Sequence, residues 1–333
     1  MMTQRTTRSS ERALFCLGIL WLLGKLATLT ACPIPVYQYA LEHWPAENYV
    51  LEVFLPATPS ADEAAAWQRL QRVVAAPRRS INLALRRQAT APEGATGSGG
   101  WLQLQYPGGR RQHTMLWQGA LSSDHVDRIL DSPARQRLGQ ALANRSSVVW
   151  VLLLSGNNDR DSSARRLIKE NLAHLEASII IPQQAEWGGQ TIALDHKVSF
   201  HMLTIQRDDP LEDVFVAMLL ASEADLRDDF QDQPLLFPVF GRGLLLYALA
   251  AGGINRWTLT KAIDFLTGAC SCQVKAANPG IDLLLAVDWD TLVTPTTPAT
   301  AGGTASPAAF MRAMQAQEEK DHQDSINLNT LKP

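Results

Sequence analysis

Cysteine is scarce in this chain, and the residue spacings of known catalytic motifs are missing. The 333 residues include 4 cysteines and 7 histidines, and Cys16 and Cys32 lie in an N-terminal hydrophobic region. So few cysteines exclude a secreted scaffold built on disulfides. The sequence also has no His-Glu-x-x-His, no Gly-x-Ser-x-Gly and no glycine-rich phosphate loop. It therefore offers no motif of a zinc protease, a serine hydrolase or a nucleotide-binding protein.

Basic residues are scattered along the chain and form no cluster. Lysine and arginine number 30 against 33 aspartates and glutamates, which gives a formal net charge of -3. Proteins that bind nucleic acid need a basic stripe or patch to neutralise phosphates, so we expect no nucleic-acid partner. Hydrophobic residues make up 46% of the chain, which is enough to bury a core.

The N-terminus has the pattern of a bacterial export signal. Residues 1–12 (MMTQRTTRSSER) carry three arginines and one glutamate, and the apolar run 13–24 (ALFCLGILWLLG) follows. A membrane-spanning helix needs about 20 apolar residues, so this shorter run suits the core of a signal peptide. The segment LTAC, ending at Cys32, then resembles a lipobox, in which the cysteine after two small residues receives a lipid.

We therefore predict a signal peptide over residues 1–31 and lipidation of Cys32. A retained single-span anchor and an ordinary cleavage are the alternatives. The lipid would hold the protein in the cell envelope, on the extracytoplasmic side of a membrane. Other envelope proteins are then its expected partners.

The rest of the chain divides into two units of similar element order. Pro33 and Pro35 disfavour a helix, so residues 32–48 are predicted to be an extended tether, in which YALEHW (39–44) forms a short helical turn that ends at Pro45. Strand and helix patterns then give β-α-β-β-β-α over residues 49–145 and β-α-β-α-β-β-α over residues 146–292. Each unit is a βαβ followed by a hairpin and a helix, which is the element order of the thioredoxin fold. We predict an α/β protein of two tandem thioredoxin-like units, with one larger mixed α/β sheet as the alternative.

Local signals place several elements within these units. Ser60 and Glu63 form a capping-box pattern at the start of the first helix, and Pro133 is expected to break the helical sequence 122–143. The near-continuous apolar run 147–154 (SVVWVLLL) is typical of a central, doubly covered strand. Residues 179–197 are predicted to be a loop. Residues 293–333 are predicted to be a low-complexity tail with a short helix.

Four stretches together resemble a family of uncharacterised predicted lipoproteins of the planctomycete type. They are CPIPVYQYALEHWP after the signal, SSVVWVLLLSGN, FPVFGRG and LTGACSCQVKAANPGIDLLL. The resemblance covers most of the mature chain and implies export, with Cys270 and Cys272 as a family feature. It brings no established activity with it.

The similarity to thioredoxins predicts a cis-proline, but the redox cysteines of thioredoxins are missing from this sequence. It puts Pro238 at the start of the third strand of the second unit, where that fold often has a cis-proline. The redox Cys-x-x-Cys of thioredoxins belongs after the first strand, where these units have PATPSADE and SGNNDRDSS. Thioredoxin catalysis at that position is therefore excluded, and we assign no catalytic residue.

The remaining candidate chemistry lies in LTGACSCQVK, where Cys270 and Cys272 are one residue apart. A disulfide between them could meet the required Cα separation of roughly 4.4–6.8 Å, yet it would close too small a loop to add much stability. Redox exchange and Cu(I) binding by two soft thiolates are two hypotheses, and a purely structural pair is the third. The Lys275 ammonium would favour a thiolate, whereas the end of the preceding helix would disfavour it.

Two other groups have plainer interpretations. Gly241-Arg242-Gly243 is predicted to be a turn rather than a nucleotide site. A carboxylate cluster could be formed by Asp282, Asp288 and Asp290, but we prefer the interpretation of a buried strand over 283–287 with acidic ends.

The sequence thus favours a non-catalytic, membrane-anchored envelope lipoprotein that acts as a binding or accessory module and needs no cofactor. The alternative is a thiol-disulfide or Cu(I)-handling protein that uses Cys270 and Cys272. The first depends on the lipobox and the missing catalytic motifs. The second depends on the two closely spaced thiols.

Overall fold

The computed structural model describes residues 33–76, 81–90, 95, 98–107, 115–187, 190–195, 197–268, 275 and 280–297. These residues form a mixed α/β fold, which confirms the predicted class. The predicted lipidation site Cys32 and the pair Cys270 and Cys272 lie outside the described residues.

Helices are separated along the described chain by single strands or by groups of three, apart from one pair of consecutive helices. The helices are α1 Val36–His43, α2 Ala61–Val74, α3 Ser123–Leu130, α4 Pro133–Ala143, α5 Asn158–Ser178, α6 Asp213–Leu220, α7 Arg256–Thr267 and α8 Trp289–Leu292. The strands are β1 Tyr49–Phe54, β2 Leu83–Gln88, β3 Trp101–Gln105, β4 Met115–Ala120, β5 Val148–Leu153, β6 Gln184–Trp187, β7 Gln190–Ala193, β8 Phe200–Ile205, β9 Leu235–Phe240, β10 Leu244–Leu245, β11 Leu249–Ala250 and β12 Ile281–Asp282.

The first sheet has the strand order β2-β1-β3-β4. Strand β1 runs parallel to β2 and antiparallel to β3, and β4 pairs antiparallel with β3. Side chains on a strand point alternately to opposite faces, and in β1 every second residue, Tyr49, Leu51 and Val53, is fully buried. One face of this sheet therefore contributes to the core, while the other is only partly covered.

The second sheet has the order β12-β10-β9-β5-β8, with β11 also on β9. Its strand β5 is parallel to β8 and antiparallel to β9, and all six of its residues are buried. The central, doubly covered strand predicted for this run is thus confirmed. Strand β1 pairs in parallel with β2 and antiparallel with β3, and β5 pairs in the same way with β8 and β9, although the hairpin of β6 and β7 lies between α5 and β8 in the chain. This repetition supports tandem units, while the thioredoxin-like assignment stays a prediction.

Two apolar clusters cover the two faces of the second sheet. The first cluster joins one face of β5, β8 and β9 to the inner face of the first sheet and to α2, α3, α4 and α6. The second joins the other face to α1, α5 and α7. Because both sheets share the first cluster, residues on either side of the predicted boundary at 145 pack into one core. Among the described residues, none of the helices has the length and apolar character needed to cross a membrane.

Two local predictions are confirmed in detail. The Ser60 side chain accepts from the Glu63 backbone N–H, and the Glu63 carboxylate accepts from the Ser60 N–H. The helical sequence near Pro133 is divided, since α3 ends at Leu130 and α4 begins at the proline itself. Proline suits the first helical position because its missing N–H would have no partner there.

The predicted tether over residues 32–48 is wrong for most of its length. Val36–His43 is helix α1, and Ile34, Val36 and Tyr37 are buried in the second apolar cluster. Pro35 is the N-cap residue with extended backbone angles. At that position the N–H that proline lacks is not needed by the helix, and the Pro35 carbonyl accepts from the Tyr39 N–H at 3.0 Å. Pro35 therefore begins α1 instead of preventing it.

The cis-proline prediction is also wrong. No peptide bond among the described residues is cis, so Pro238 follows a trans bond, and it lies inside β9 rather than at its start. A proline inside a strand leaves one ladder hydrogen bond unmade. The neighbouring strand is interrupted here, because β10 pairs with Val239 and Phe240 and β11 pairs with Leu235 and Leu236.

Residues 179–197 are not simply a loop. They include the antiparallel hairpin of β6 and β7, which packs Ile192 and Leu194 into the second cluster. The hairpin strands have four residues each, which is too short for a clear alternation signal in the sequence.

Candidate functional site

A cavity of about 290 Å³ lies between the α1–β1 connection and the segment after β12. Its walls include Asn48, Asn82, Arg242, Trp289 and Asp290. Ligand pockets usually have volumes of roughly 300–1,000 Å³, so this cavity suits only a small molecule. It is the candidate site described below.

The turn Gly241-Arg242-Gly243 places the arginine of this cavity. Gly241 and Gly243 have φ angles of 58° and 96°, a region that favours glycine. A Cβ on Gly241 would lie 2.8 Å from the Ala40 Cβ, and one on Gly243 would lie 2.5 Å from the Leu285 Cδ1. The prediction of a turn is confirmed, and both glycines allow close packing against neighbouring segments.

Each of the three guanidinium nitrogens of Arg242 has a partner. Its Nε donates to the Leu41 carbonyl at 2.9 Å, its Nη2 donates to the Glu42 carbonyl at 3.2 Å, and its Nη1 lies 2.9 Å from Asp290 Oδ1. The two carbonyls belong to the last turn of α1, where a cation is favourable. Arg242 therefore caps α1, and its ion pair with Asp290 places one positive and one negative group at the cavity.

Asn82 fixes the opposite wall. Its Nδ2 donates to the carbonyls of Glu47 and Leu283, at 2.9 and 3.1 Å, and its Oδ1 accepts from the Leu285 N–H at 2.9 Å. One side chain thus ties the residue before β2 to two segments that are distant in sequence. The cavity wall is held by hydrogen bonds that satisfy both ends of the amide.

A buried ion pair lies next to the cavity. The Lys275 ammonium contacts Asp282 Oδ2 and the carbonyl of Pro45, and the Glu47 N–H donates to the same carboxylate at 3.1 Å. Burial raises the pKa of Asp282 above its usual range, and Lys275 opposes this rise. Since Asp282 engages the Lys275 ammonium, that charge is less available to stabilise a nearby thiolate than the sequence suggested.

The three aspartates of the predicted carboxylate cluster have separate roles. Asp282 pairs with Lys275, Asp290 pairs with Arg242, and Asp288 accepts from the Thr291 N–H and hydroxyl at the start of α8. Leu283–Leu285 are buried as expected, but the strand itself covers only Ile281–Asp282. Within the described part of the chain, no three His, Cys, Asp or Glu side chains are grouped to hold a metal ion.

A second polar group, which we call the Glu42 clamp, comprises Glu42, Arg145, Thr296 and Thr297. The Glu42 side chain is fully buried. It accepts from the backbone N–H groups of Thr296 and Thr297, at 3.1 and 2.9 Å, and from both threonine hydroxyls. Arg145 Nη1 donates to it at 3.2 Å. The clamp holds the beginning of the predicted tail against α1, and residues 298–333 lie outside the described part.

The electrostatics of the Glu42 clamp favour an ionised carboxylate. Burial alone would raise the pKa of Glu42, but the hydrogen bonds from Thr297, Thr296 and Arg145 outweigh it and lower the pKa below the usual value. A carboxylate that accepts several hydrogen bonds is stabilised in its charged form. No sequence spacing indicates this group, because its members lie up to 255 residues apart.

A third group, the Glu212–Arg135 network, joins α4 to the residue that precedes α6. The Glu212 carboxylate accepts from the Ser132 hydroxyl and from the Ala134 N–H at 2.7 Å. Arg135 Nε donates to the same Ser132 oxygen at 3.2 Å. Burial lowers the pKa of Arg135 to about 10. The two buried charges are thus linked through one hydroxyl group.

Each of these groups holds a helix end or a connecting segment in place. Asp161 is another example, since its carboxylate accepts from the N–H groups of Ser155 and Gly156. Unlike these groups, the cavity at Arg242 combines open space with charged and apolar walls, which suits a small polar molecule. Of its residues, the sequence pointed to Arg242, through the two flanking glycines, and to Asp290, through the possible carboxylate cluster.

Comparison of the chain with protein-family models, with curated proteins and with solved structures returned no match.

Proposed function

We propose that this protein is a bacterial envelope lipoprotein, anchored by a lipid on Cys32, that serves as a non-catalytic binding or accessory module. The observation that carries the proposal is the segment LTAC, which begins five residues after the end of the short apolar run 13–24 and lies directly before the folded part. Folding begins at once, because Ile34 is fully buried. A signal followed by a folded exported domain has this arrangement.

The described site supports binding rather than turnover. The charged side chains around the cavity are engaged in capping and ion pairing, as Arg242 and Asp282 illustrate. A general base or an activated nucleophile instead needs a partner within hydrogen-bond reach of a substrate. We place the binding site in the cavity, and we propose that the chain belongs with the planctomycete-type predicted lipoproteins.

Cys32→Ala is the decisive variant for the anchor. With the full chain expressed in a bacterium that matures lipoproteins, we expect the wild-type protein in the membrane fraction with the mass of a diacylglyceryl group added at Cys32. The variant should lack the added mass and leave the membrane fraction or remain as an unprocessed precursor. Intact-mass spectrometry and fractionation measure both effects.

Cys16→Ala is the matched control, because Cys16 lies in the apolar run and outside the lipobox. It should behave like the wild type in mass and in fractionation. If Cys32→Ala also keeps the wild-type mass and membrane association, lipidation at Cys32 is refuted. A retained single-span anchor would then explain the membrane association.

The alternative function is thiol-disulfide exchange or Cu(I) handling by Cys270 and Cys272. One observation favours it: the described residues on both sides of this pair are fastened to the folded part. The Gly268 carbonyl accepts from the Val36 N–H at 3.2 Å, and Lys275 is held by Asp282. The pair thus belongs to a short stretch of sequence between two residues, Gly268 and Lys275, that are each bonded to the folded part.

Thiol accounting by intact mass separates the two functions. Residues 33–333 are alkylated with and without prior reduction, and the measurement is repeated after Cu(I) is added. A pair that is oxidised when purified, reduces reversibly and is protected by Cu(I) would favour the alternative. Thiols that react only after unfolding would leave the binding module as the function.

A further inference from the structure

The folded part of the chain begins almost at the predicted lipidation site. Only Pro33 lies between Cys32 and the fully buried Ile34. Two residues of extended chain span at most about 7 Å. The polar headgroup region of one leaflet has a similar thickness, since a bilayer is about 40–45 Å thick with a hydrocarbon core of about 30 Å. A lipid on Cys32 would therefore leave no room for a spacer.

Hydrogen bonds join the first turn of α1 to one end of the domain. The Val36 N–H donates to the Gly268 carbonyl at 3.2 Å, and the Tyr37 hydroxyl donates to the Asp195 carbonyl at 2.6 Å. Gln38 Oε1 accepts from the Asp195 N–H at 2.9 Å. The first turn of α1 is therefore bound to the segment before β8, and it cannot swing away from the domain as a flexible tether would.

An exposed isoleucine belongs to the same end. The Leu194 N–H donates to the Gln183 carbonyl at 2.9 Å, which places the chain just after α5 beside Asp195. In that chain Ile181 is buried, whereas Ile180 is 91% exposed. Ile34 and Val36 are buried at this end, and we call the surface around them, formed by Pro33, Ile180, Asp195 and Gly268, the anchor end.

We propose that the anchor end faces and touches the lipid headgroups, so that the domain sits directly on the membrane in one orientation. This inference rests on the proposed lipidation of Cys32. The short link sets the orientation, and the Ile180 side chain provides an apolar contact with the interface. The N-terminal end of α5, including Ser163, faces away from the bilayer.

Headgroup quenching tests the orientation on the lipidated full-length protein. A fluorophore is attached at Ile180→Cys or, as the matched control, at Ser163→Cys, each in a chain with Cys270→Ser and Cys272→Ser. Both positions are exposed and lie on or beside α5, and Ser163 is about 22 Å along the helix from its C-terminal residue. The protein is reconstituted in vesicles with and without lipids that carry a nitroxide on the headgroup.

We expect several-fold stronger quenching at position 180 than at position 163. A second protein carries a flexible Gly/Ser insert of roughly 20 residues between Cys32 and Pro33, which adds an average reach of about 25 Å. This insert should remove most of the quenching at position 180, because the link no longer holds the anchor end against the lipid.

The results that would refute the proposed orientation differ from the result that would refute lipidation of Cys32. Equal quenching at the two positions, with lipid confirmed on Cys32 by mass, would refute the orientation alone. Unchanged quenching at position 180 after the insertion would show that the short link between Cys32 and Ile34 does not set the orientation. Absence of the lipid mass on Cys32 would refute the proposed function together with this inference.

Discussion

Glu42→Gln is expected to destabilise the protein by about 2–5 kcal/mol, because the Glu42 side chain is fully buried and each buried donor left without its acceptor costs about 1–3 kcal/mol. Both Glu42 oxygens accept hydrogen bonds in the Glu42 clamp. An amide keeps the size of the side chain but replaces one acceptor by a donor. That donor would face the N–H and hydroxyl groups of Thr296 and Thr297, and Arg145 would keep only Asp195 as a charged partner.

Urea unfolding of the variant measures this loss. Total stabilities of domains are about 5–15 kcal/mol, so the unfolding midpoint should fall strongly. Glu47→Gln is the matched control, because Glu47 is an exposed glutamate five residues away in the chain and its substitution should change stability by less than about 0.5 kcal/mol. An effect of similar size in both variants would contradict the central role of the Glu42 clamp.

The pH dependence of the stability difference between the wild type and Glu42→Gln gives an independent check on the role of Glu42. The pKa of Glu42 is lowered in the folded protein, whereas in the unfolded chain it is about 4.3. Its contribution is therefore fully present above that value and is lost as the pH falls through the lower folded pKa. The stability difference between the wild type and Glu42→Gln should shrink in that acidic range, and a constant difference down to pH 2 would contradict the assignment.

Sequence reasoning succeeded where the signal is local. The capping box of Ser60 and Glu63, the break at Pro133 and the buried strand over Val148–Leu153 each depend on neighbouring residues. Helix caps and strand periodicity are short-range effects. The repeated strand order could also be anticipated from the order of elements, although strand pairing itself depends on contacts between distant segments.

The failures near α1 have a different cause. Pro33 and Pro35 in the sequence argue against a helix, but a proline blocks only a helix that extends to its N-terminal side. The apolar residues Val36, Tyr37 and Ala40 are buried in the second cluster, and tertiary packing of this kind supplies most of a short helix's stability. The sequence alone could not show which surface would receive them.

The polar groups of the candidate site were beyond sequence reasoning for a further reason. Arg242 lies about 200 residues from the α1 carbonyls that it caps, and Glu42 is similarly distant from Thr297. A single carboxylate or guanidinium group in the sequence looks like a solvated surface residue. Only the folded chain shows which of them are buried and therefore must have partners.

A double-mutant cycle on Glu212 and Arg135 should show strong coupling within the Glu212–Arg135 network. Glu212→Gln places an amide donor against the Ser132 hydroxyl or the Ala134 N–H, and it leaves the buried Arg135 without its linked charge. Arg135→Met removes the donors to the carbonyls of Ile129 and Leu284. Each single change is expected to cost about 3–5 kcal/mol.

The double variant is expected to be more stable than the sum of the two losses predicts, by about 0.5–3 kcal/mol, because the second substitution no longer leaves an unpaired buried charge. Urea unfolding of the four proteins at pH 7 measures the coupling, and Glu170→Gln, an exposed change on α5, controls for the loss of one negative charge. Strict additivity would mean that the two charges are stabilised separately by their neutral hydrogen-bond partners. In that case the Ser132 hydroxyl would cap α4 without linking Glu212 to Arg135.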